Sequence, residues 1–211
     1  MKLPKIIAYY TDGRKNWYLT CAKELEDQCK LFNFDYYIEE KNSLGSYDKN
    51  CKIKPKFIIE CLDKFKCPLI FLDVDAILTG NIPNELYNLN NYDIGITKAT
   101  GNVQSQIEEY NYIKSIKNPY NHKSIYIRDG FLYVNYNNNG YNFLNFWNDA
   151  CIKLKESDHN CLNGSVCYNI NNIKIKILSD KINIANKNNS YPPEETFCYY
   201  RVSGGYINDI F

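Results

Sequence analysis

No stretch of the chain approaches the roughly 18 to 20 uncharged apolar residues that a bilayer-spanning helix needs. No membrane segment is therefore expected. Neither sign of charge is in excess, with 25 basic side chains against 24 acidic ones. A nucleic-acid binder normally carries a marked basic excess, so that class is set aside. No charge run long enough for a polybasic tail occurs either. The N-terminal Met1-Lys2-Leu3-Pro4-Lys5 leads straight into apolar residues and lacks the apolar core of a secretory signal. A soluble, cytoplasmic chain without its own anchor is the expectation.

Paired cysteine motifs are also missing. Nine cysteines are present, an odd number, and none forms a Cys-x-x-Cys pair. Several sit inside apolar patterns, which points to buried thiols in a reducing compartment. There is no internal repeat and no long linker, so residues 1–211 are expected to form a single domain.

Aromatic residues are plentiful, with 20 Tyr and 10 Phe, so core material is not scarce. Asn, Lys, Ile and Tyr, which have AT-rich codons, are abundant, as in some large DNA viruses or protists. Strand patterns alternate with helical ones. Residues 5–10 (KIIAYY) read as a buried strand, and from Asn16 the apolar Leu19, Ala22, Leu25 and Cys29 recur at helical steps. Residues 34–38 read as a second strand and 42–50 as a polar loop. Pro55 suits the first turn of a helix with Phe57, Cys61 (or Ile58, Leu62) and Phe65 as its stripe.

The four-residue run Leu69-Ile70-Phe71-Leu72 fits a strand covered on both faces. Residues 92–97 follow as a strand, and 98–123 as a helix or a lid. Residues 124–135 read as one or two strands interrupted at Asp129-Gly130. A helix over 142–154 carries Phe143, Phe146, Trp147, Ala150 and Leu154, with Phe146 and Trp147 expected in the core. Asp158 opens another helix with Leu162 and Val166, residues 173–178 form a half-exposed strand, 191–193 a turn and 196–202 a last strand. The alternation predicts an α/β fold, a mostly parallel central sheet flanked by helices.

The chemistry gathers at Asp73-Val74-Asp75, where two carboxylates stand one residue apart at the carboxyl end of the predicted buried strand. Open α/β sheets bind ligands at that end of their strands. The two charges repel unless a cation or solvent intervenes. A hard divalent ion, Mn2+ or Mg2+, takes one or two carboxylates and completes its shell with phosphate oxygens and water. Such an ion would neutralise a departing nucleoside diphosphate.

In these features the sequence resembles the GT-A glycosyltransferases, and most closely glycosyltransferase family 8. Ile7-Ala8-Tyr9-Tyr10-Thr11-Asp12 is similar to the first strand and turn that hold the uridine. Lys54-Pro55-Lys56-Phe57 is similar to the segment whose basic residue faces the nucleotide sugar. Ile70-Phe71-Leu72-Asp73-Val74-Asp75 resembles the metal motif, with Val74 beside the nucleotide. Arg128-Asp129-Gly130-Phe131-Leu132 resembles a strand of the Asn-Ala-Gly-Val-Leu type. Asp158-His159-Asn160-Cys161-Leu162-Asn163-Gly164 is similar to an Asp-Gln-Asp-x-Leu-Asn-Gly segment at the reacting face.

The resemblance implies hexosyl transfer from a nucleoside diphosphate sugar, uridine-linked, to a hydroxyl of a glycan or protein, with retention. It implies a metal site at Asp73 and Asp75. It implies donor contacts from Tyr9, Tyr10, Thr11, Asp12, Lys56, Asp73, Val74, Asp129 and Gly130, and catalytic roles for Asp158 and His159. Aromatic faces such as that of Tyr10 stack well on nucleobases.

The pattern also departs from the family. The family's late His is missing, since His122 and His159 both lie earlier. In its place stand Arg201, Ser203 and Gly204, where backbone amides can form an anion-binding nest and the guanidinium can offset phosphate charge. Two other readings compete. Leu72-Asp73-Val74-Asp75 also suits a haloacid-dehalogenase-type phosphatase with Asp73 as nucleophile, although that motif normally opens its fold. A nucleotide- or glycan-binding relative with weak turnover is the other. Asp158 equally suits a helix N-cap, and Lys56 a solvated helix face.

Overall fold

A computed structural model describes residues 3–11, 16–98, 127–169, 172–179, 181–185 and 196–200. Among these residues six strands form the main sheet in the order β2-β1-β3-β6-β5-β7. They are β1 (Lys5–Thr11), β2 (Tyr36–Lys41), β3 (Leu69–Leu72), β5 (Ile94–Lys98), β6 (Ile127–Val134) and β7 (Ile175–Leu178). β1 runs parallel to β2 and β3, and β5 parallel to β7, while β6 is antiparallel to both of its neighbours. The mostly parallel sheet expected from the alternation is therefore present, with one reversed strand. A smaller sheet joins β4 (Ala76–Leu78), β9 (Cys198–Tyr200) and β8 (Asn183–Ala185) in the order β4-β9-β8.

Period-two alternation divides the core between the two faces of the main sheet. Ile7, Leu69, Phe71, Leu132 and Val134 belong to one cluster, with Phe57, Leu62, Phe143, Trp147 and Leu162. Those partners come from helices α3 (Lys54–Phe65), α5 (Asn138–Lys153) and α6 (Asp158–Asn169), the short α4 (Asn84–Tyr87) preceding β5 in the chain. Ile6, Ala8, Ile70, Leu72, Phe131 and Tyr133 face the other way, against Leu25 and Cys29 of helix α1 (Trp17–Leu31) and Phe197. Double coverage is the reason β3 carries no polar residue: all four of its side chains are buried.

Several elements differ from expectation. β6 runs unbroken through Asp129-Gly130 for eight residues. The polar pair is tolerated inside it because Asp129 meets a buried ammonium, described below. The 42–50 stretch contains a short helix, α2 (Tyr47–Cys51), whose N-cap Ser46 accepts the Lys49 amide hydrogen. Helix α5 starts four residues before the expected 142, because the Asn137 side chain accepts the Gly140 amide hydrogen at 2.8 Å and caps it. Its buried stripe is Phe143, Leu144, Trp147 and Cys151. Phe146 falls off that stripe, is exposed, and stacks on Tyr168. In α1, Cys21 rather than Leu19 completes the buried face.

The cysteines with described side chains are all thiols, none in a disulfide, and most are buried. No helix among the described residues is long and apolar enough to cross a membrane. Residues 99–123 of the expected helix or lid, 124–126 of the expected strand after it, the 191–193 turn, and residues 201–202 of the last strand lie outside the described residues.

Candidate active site

Four elements deliver charged side chains to one point. Asp73 directly follows β3; its amide donates to the Gly130 carbonyl at 2.9 Å, and the Ala76 amide closes the turn onto the Asp73 carbonyl at 3.0 Å. β6 contributes Asp129, α6 begins on Asp158, and α3 begins on Lys54. The Lys54 Nζ stands 3.1 Å from Asp73 Oδ1, 3.0 Å from Asp129 Oδ2 and 3.1 Å from Asp158 Oδ2. The Lys54 side chain is only 5% exposed. One positive charge is thus shared by three carboxylates, and the His159 Nδ1 lies 3.3 Å from Asp129 Oδ1 on the far side.

The electrostatics follow from burial and partners. Burial pulls the Lys54 ammonium pKa down, but Asp129, Asp158 and Asp73 outweigh it and hold it well above the ordinary lysine value. Burial also pushes Asp73 up, to about 7; Lys54 opposes the shift, and Asp129 and Asp75 add to it. Asp158 is raised by burial, again against Lys54. For Asp129, burial opposes ionisation, yet Lys54 and the hydrogen bond from His159 prevail and hold it well below the usual carboxylate range. The cluster is short of positive charge, and Asp73 and Asp158 are both pushed up.

Asp158 does not cap its own helix. Ser157 Oγ accepts the Asn160 amide hydrogen at 3.2 Å, the contact an N-cap makes, leaving the Asp158 carboxylate to Lys54. The buried Trp147 indole donates to the Asp158 carbonyl at 3.2 Å and pins this turn to α5. Asn163, one turn on, accepts the Ile127 amide hydrogen at 3.0 Å and so ties α6 to the start of β6.

A cleft of about 330 Å³ opens beside the cluster, lined by Tyr9, Tyr10, Thr11, Tyr18 and Tyr47 together with Lys54, Asp73, Val74 and Asp75. Tyr9 is fixed by its hydroxyl, which donates to the Asn50 carbonyl at 2.7 Å, and by an edge contact with Phe57. Tyr10 donates to Glu40 at 3.3 Å, and Thr11 accepts from the Asn50 amide at 3.2 Å. Val74 packs with Cys21 and Ala22 of α1. A methyl group at Gly130 would come within 3.0 Å of the Tyr200 ring and 3.3 Å of Asp73 Oδ2, so only glycine fits there without displacement.

The structure brings Tyr9, Tyr10, Thr11, Asp73, Val74 and Asp75 together around the cleft, with Asp129, Gly130, Asp158 and His159 in or beside the adjoining cluster. Lys56 is exposed on α3, and Lys54 enters the cluster in its place. Two residues along a helix turn the side chain by about 200°, so these two lysines point nearly opposite ways. The signal for Lys54 lay in its position just before Pro55, at the start of the helix. Asp12, Arg201, Ser203, Gly204 and His122 lie outside the described residues.

Among the described residues no group of three or more His, Cys, Asp and Glu side chains is arranged to hold a metal ion. Asp73 and Asp75 nonetheless line the same cleft. Such a pair suits a hard cation that takes its remaining ligands from phosphate and water.

The chain matches the family model for nucleotide-diphospho-sugar transferases over residues 15–199. It belongs to the nucleotide-diphospho-sugar transferase family. A phosphatase is accordingly not favoured. No curated protein matches in sequence. Among solved structures, a glycosyltransferase involved in glycosylation of the major capsid of PBCV-1 superposes with a TM-score of 0.68 at 12% identity, covering 96% of this chain and 94% of that one. The galactosyltransferase LgtC, solved with donor and acceptor sugar analogues, gives 0.52 at 10% identity, covering 95% and 87%. The bifunctional glycosyltransferase WbbM gives 0.57 at 12% identity, covering 97% of this chain and 46% of that one. These likenesses establish the GT-A fold of this nucleotide-diphospho-sugar transferase, a glycosyltransferase.

Proposed function

We propose that this transferase moves a hexose from a uridine diphosphate sugar to a hydroxyl of a glycan or protein, with retention at the anomeric carbon. Mn2+ or Mg2+ is held by Asp73 and Asp75 in this reading. The observation that carries it is the shared cleft: the acid pair and the aromatic end of β1 line one cavity beside a buried Lys–Asp cluster. The tyrosines offer faces to a flat base. The cation, when bound, supplies positive charge to the leaving diphosphate.

The chain's own residues do the rest. Lys54 holds Asp73, Asp129 and Asp158 in fixed relation beside the cleft. Asp129 and Asp158 orient sugar hydroxyls, and His159, braced on Asp129, lies at the reacting face. Retention rests on the family 8 resemblance, as does the placing of Arg201, Ser203, Gly204 and Asp12 around the diphosphate and base. The abundance of residues with AT-rich codons, together with a structural neighbour involved in glycosylation of a viral capsid, favours a large DNA virus as source and the host cytosol as the place of action.

A panel of nucleotide sugars incubated with Mn2+ and scored for released nucleoside diphosphate tests the reading. Release of UDP from a UDP-hexose, dependent on Mn2+, is expected. Binding of UDP with no turnover of any donor would favour the non-catalytic relative instead.

A further inference from the structure

We propose that Asn50 is a positioning residue that clamps the outer wall of the donor cleft onto the end of β1. The inference rests on the donor cleft assigned above. Ser43, Gly45, Ser46, Tyr47 and Asn50 all line that cleft. Residues 42–49 are nevertheless exposed, and α2 buries no side chain. A helix of five residues has no stability of its own in water. Gly45 stands in the left-handed region at φ 84° with nothing packed against it. Hydrophobic packing therefore does not hold this wall in place.

Asn50 supplies what packing does not. Its Oδ1 accepts the Leu44 amide hydrogen at 2.7 Å. Its Nδ2 donates to Ser43 Oγ and to Thr11 Oγ1, each at 3.2 Å. Its backbone carbonyl accepts the Tyr9 hydroxyl at 2.7 Å. One carboxamide thus folds the 43–46 turn back on itself and fastens it to Thr11, while the same residue's carbonyl takes Tyr9 two positions earlier on β1. Tyr9 and Thr11 line the cleft from the other side. The spacing between the two walls, which a flat base must match, is set by this residue.

The test uses Asn50→Ala and Ser43→Ala in the full chain. Amide exchange of the 43–51 segment, melting temperature, UDP affinity with Mn2+, and donor KM and kcat are measured. Asn50→Ala should speed exchange in that segment and leave the melting temperature nearly unchanged. It should raise the UDP Kd and donor KM about tenfold, the loss expected for one or two net hydrogen bonds. kcat at saturating donor should hold, as it does when only uniform binding is lost. Ser43→Ala should show a smaller rise in KM.

Unchanged exchange over 43–51 in Asn50→Ala would overturn the clamp, whatever the nucleotide does. So would a fall in kcat at constant KM. If the parent itself binds no UDP, the donor assignment fails, and the exchange measurement still decides the clamp.

Discussion

The Lys54 Nζ lies 3.1 Å from Asp158 Oδ2, joining the first residue of α3 to the first residue of α6. A cation at a helix N-terminus works against the helix dipole, whereas an anion there is favoured. Lys54 accepts that disadvantage because Asp73, Asp129 and Asp158 surround it, and it joins these three carboxylates beside the cleft.

Lys54→Met should therefore be strongly destabilising. Three carboxylates would lose their shared ammonium, and removal of one partner from a buried ion cluster typically costs about 3–5 kcal/mol. Urea denaturation should show a lower midpoint with little change in slope. Lys56→Met, on the exposed side of the same helix, serves as the control and should stay close to the parent. Equal stability of all three proteins would contradict the role given to Lys54.

Asp73 makes a pH-dependent contribution of known sign. Its folded-state pKa, about 7, lies above the value for an unfolded aspartate, about 3.9. The folded state therefore binds this proton more tightly. The stabilising contribution is complete below pH ~4 and is lost as pH rises through 7. Asp73→Asn has no proton to release. Without added cation, the melting temperature of Asp73→Asn relative to the parent should climb between about pH 4 and 7, then level off. A difference that falls with pH would show that the carboxylate is stabilised at this site, contrary to the reading.

Much of this arrangement was legible in the sequence, for physical reasons. Leu69-Ile70-Phe71-Leu72 announced a strand covered on both faces, and the acid pair after it announced the ligand end of the sheet. Lys54 was missed in favour of Lys56, because helical phase near a terminus depends on where the helix starts, and the Pro55 signal fixes that only to within a residue or two. Asp129-Gly130 read as a break, since the ammonium that makes Asp129 tolerable comes from a residue 75 positions away. The Asn50 contacts were invisible for the same reason: Thr11 lies 39 positions distant.

Gly130→Ala should disturb the site more than the fold. The added methyl would press on the Tyr200 ring at 3.0 Å and on Asp73 Oδ2 at 3.3 Å. The Tyr200 hydroxyl also donates to the Gly130 carbonyl, so the ring has little freedom to withdraw. Overpacking of this kind costs about 1–3 kcal/mol, and the easier relief is a shift of Asp73. Cation-supported donor turnover should drop well before the melting temperature does. Turnover equal to the parent's would mean that Asp73 can move without consequence and is not the cation's ligand.

Asp75 isolates the cation from the cluster. It lines the cleft with Asp73, while Lys54 contacts Asp73, Asp129 and Asp158. Asp75→Ala should therefore spare the fold, with a melting temperature near the parent's, while abolishing Mn2+-dependent release of UDP from the donor. Mn2+ binding followed directly, by its enhancement of water proton relaxation, should weaken in step. Removing this carboxylate also removes one of the charges that push Asp73 up, so stability at neutral pH should hold or rise slightly. Full activity in Asp75→Ala would place the cation elsewhere, and the acid pair would then be no more than a turn at the end of β3.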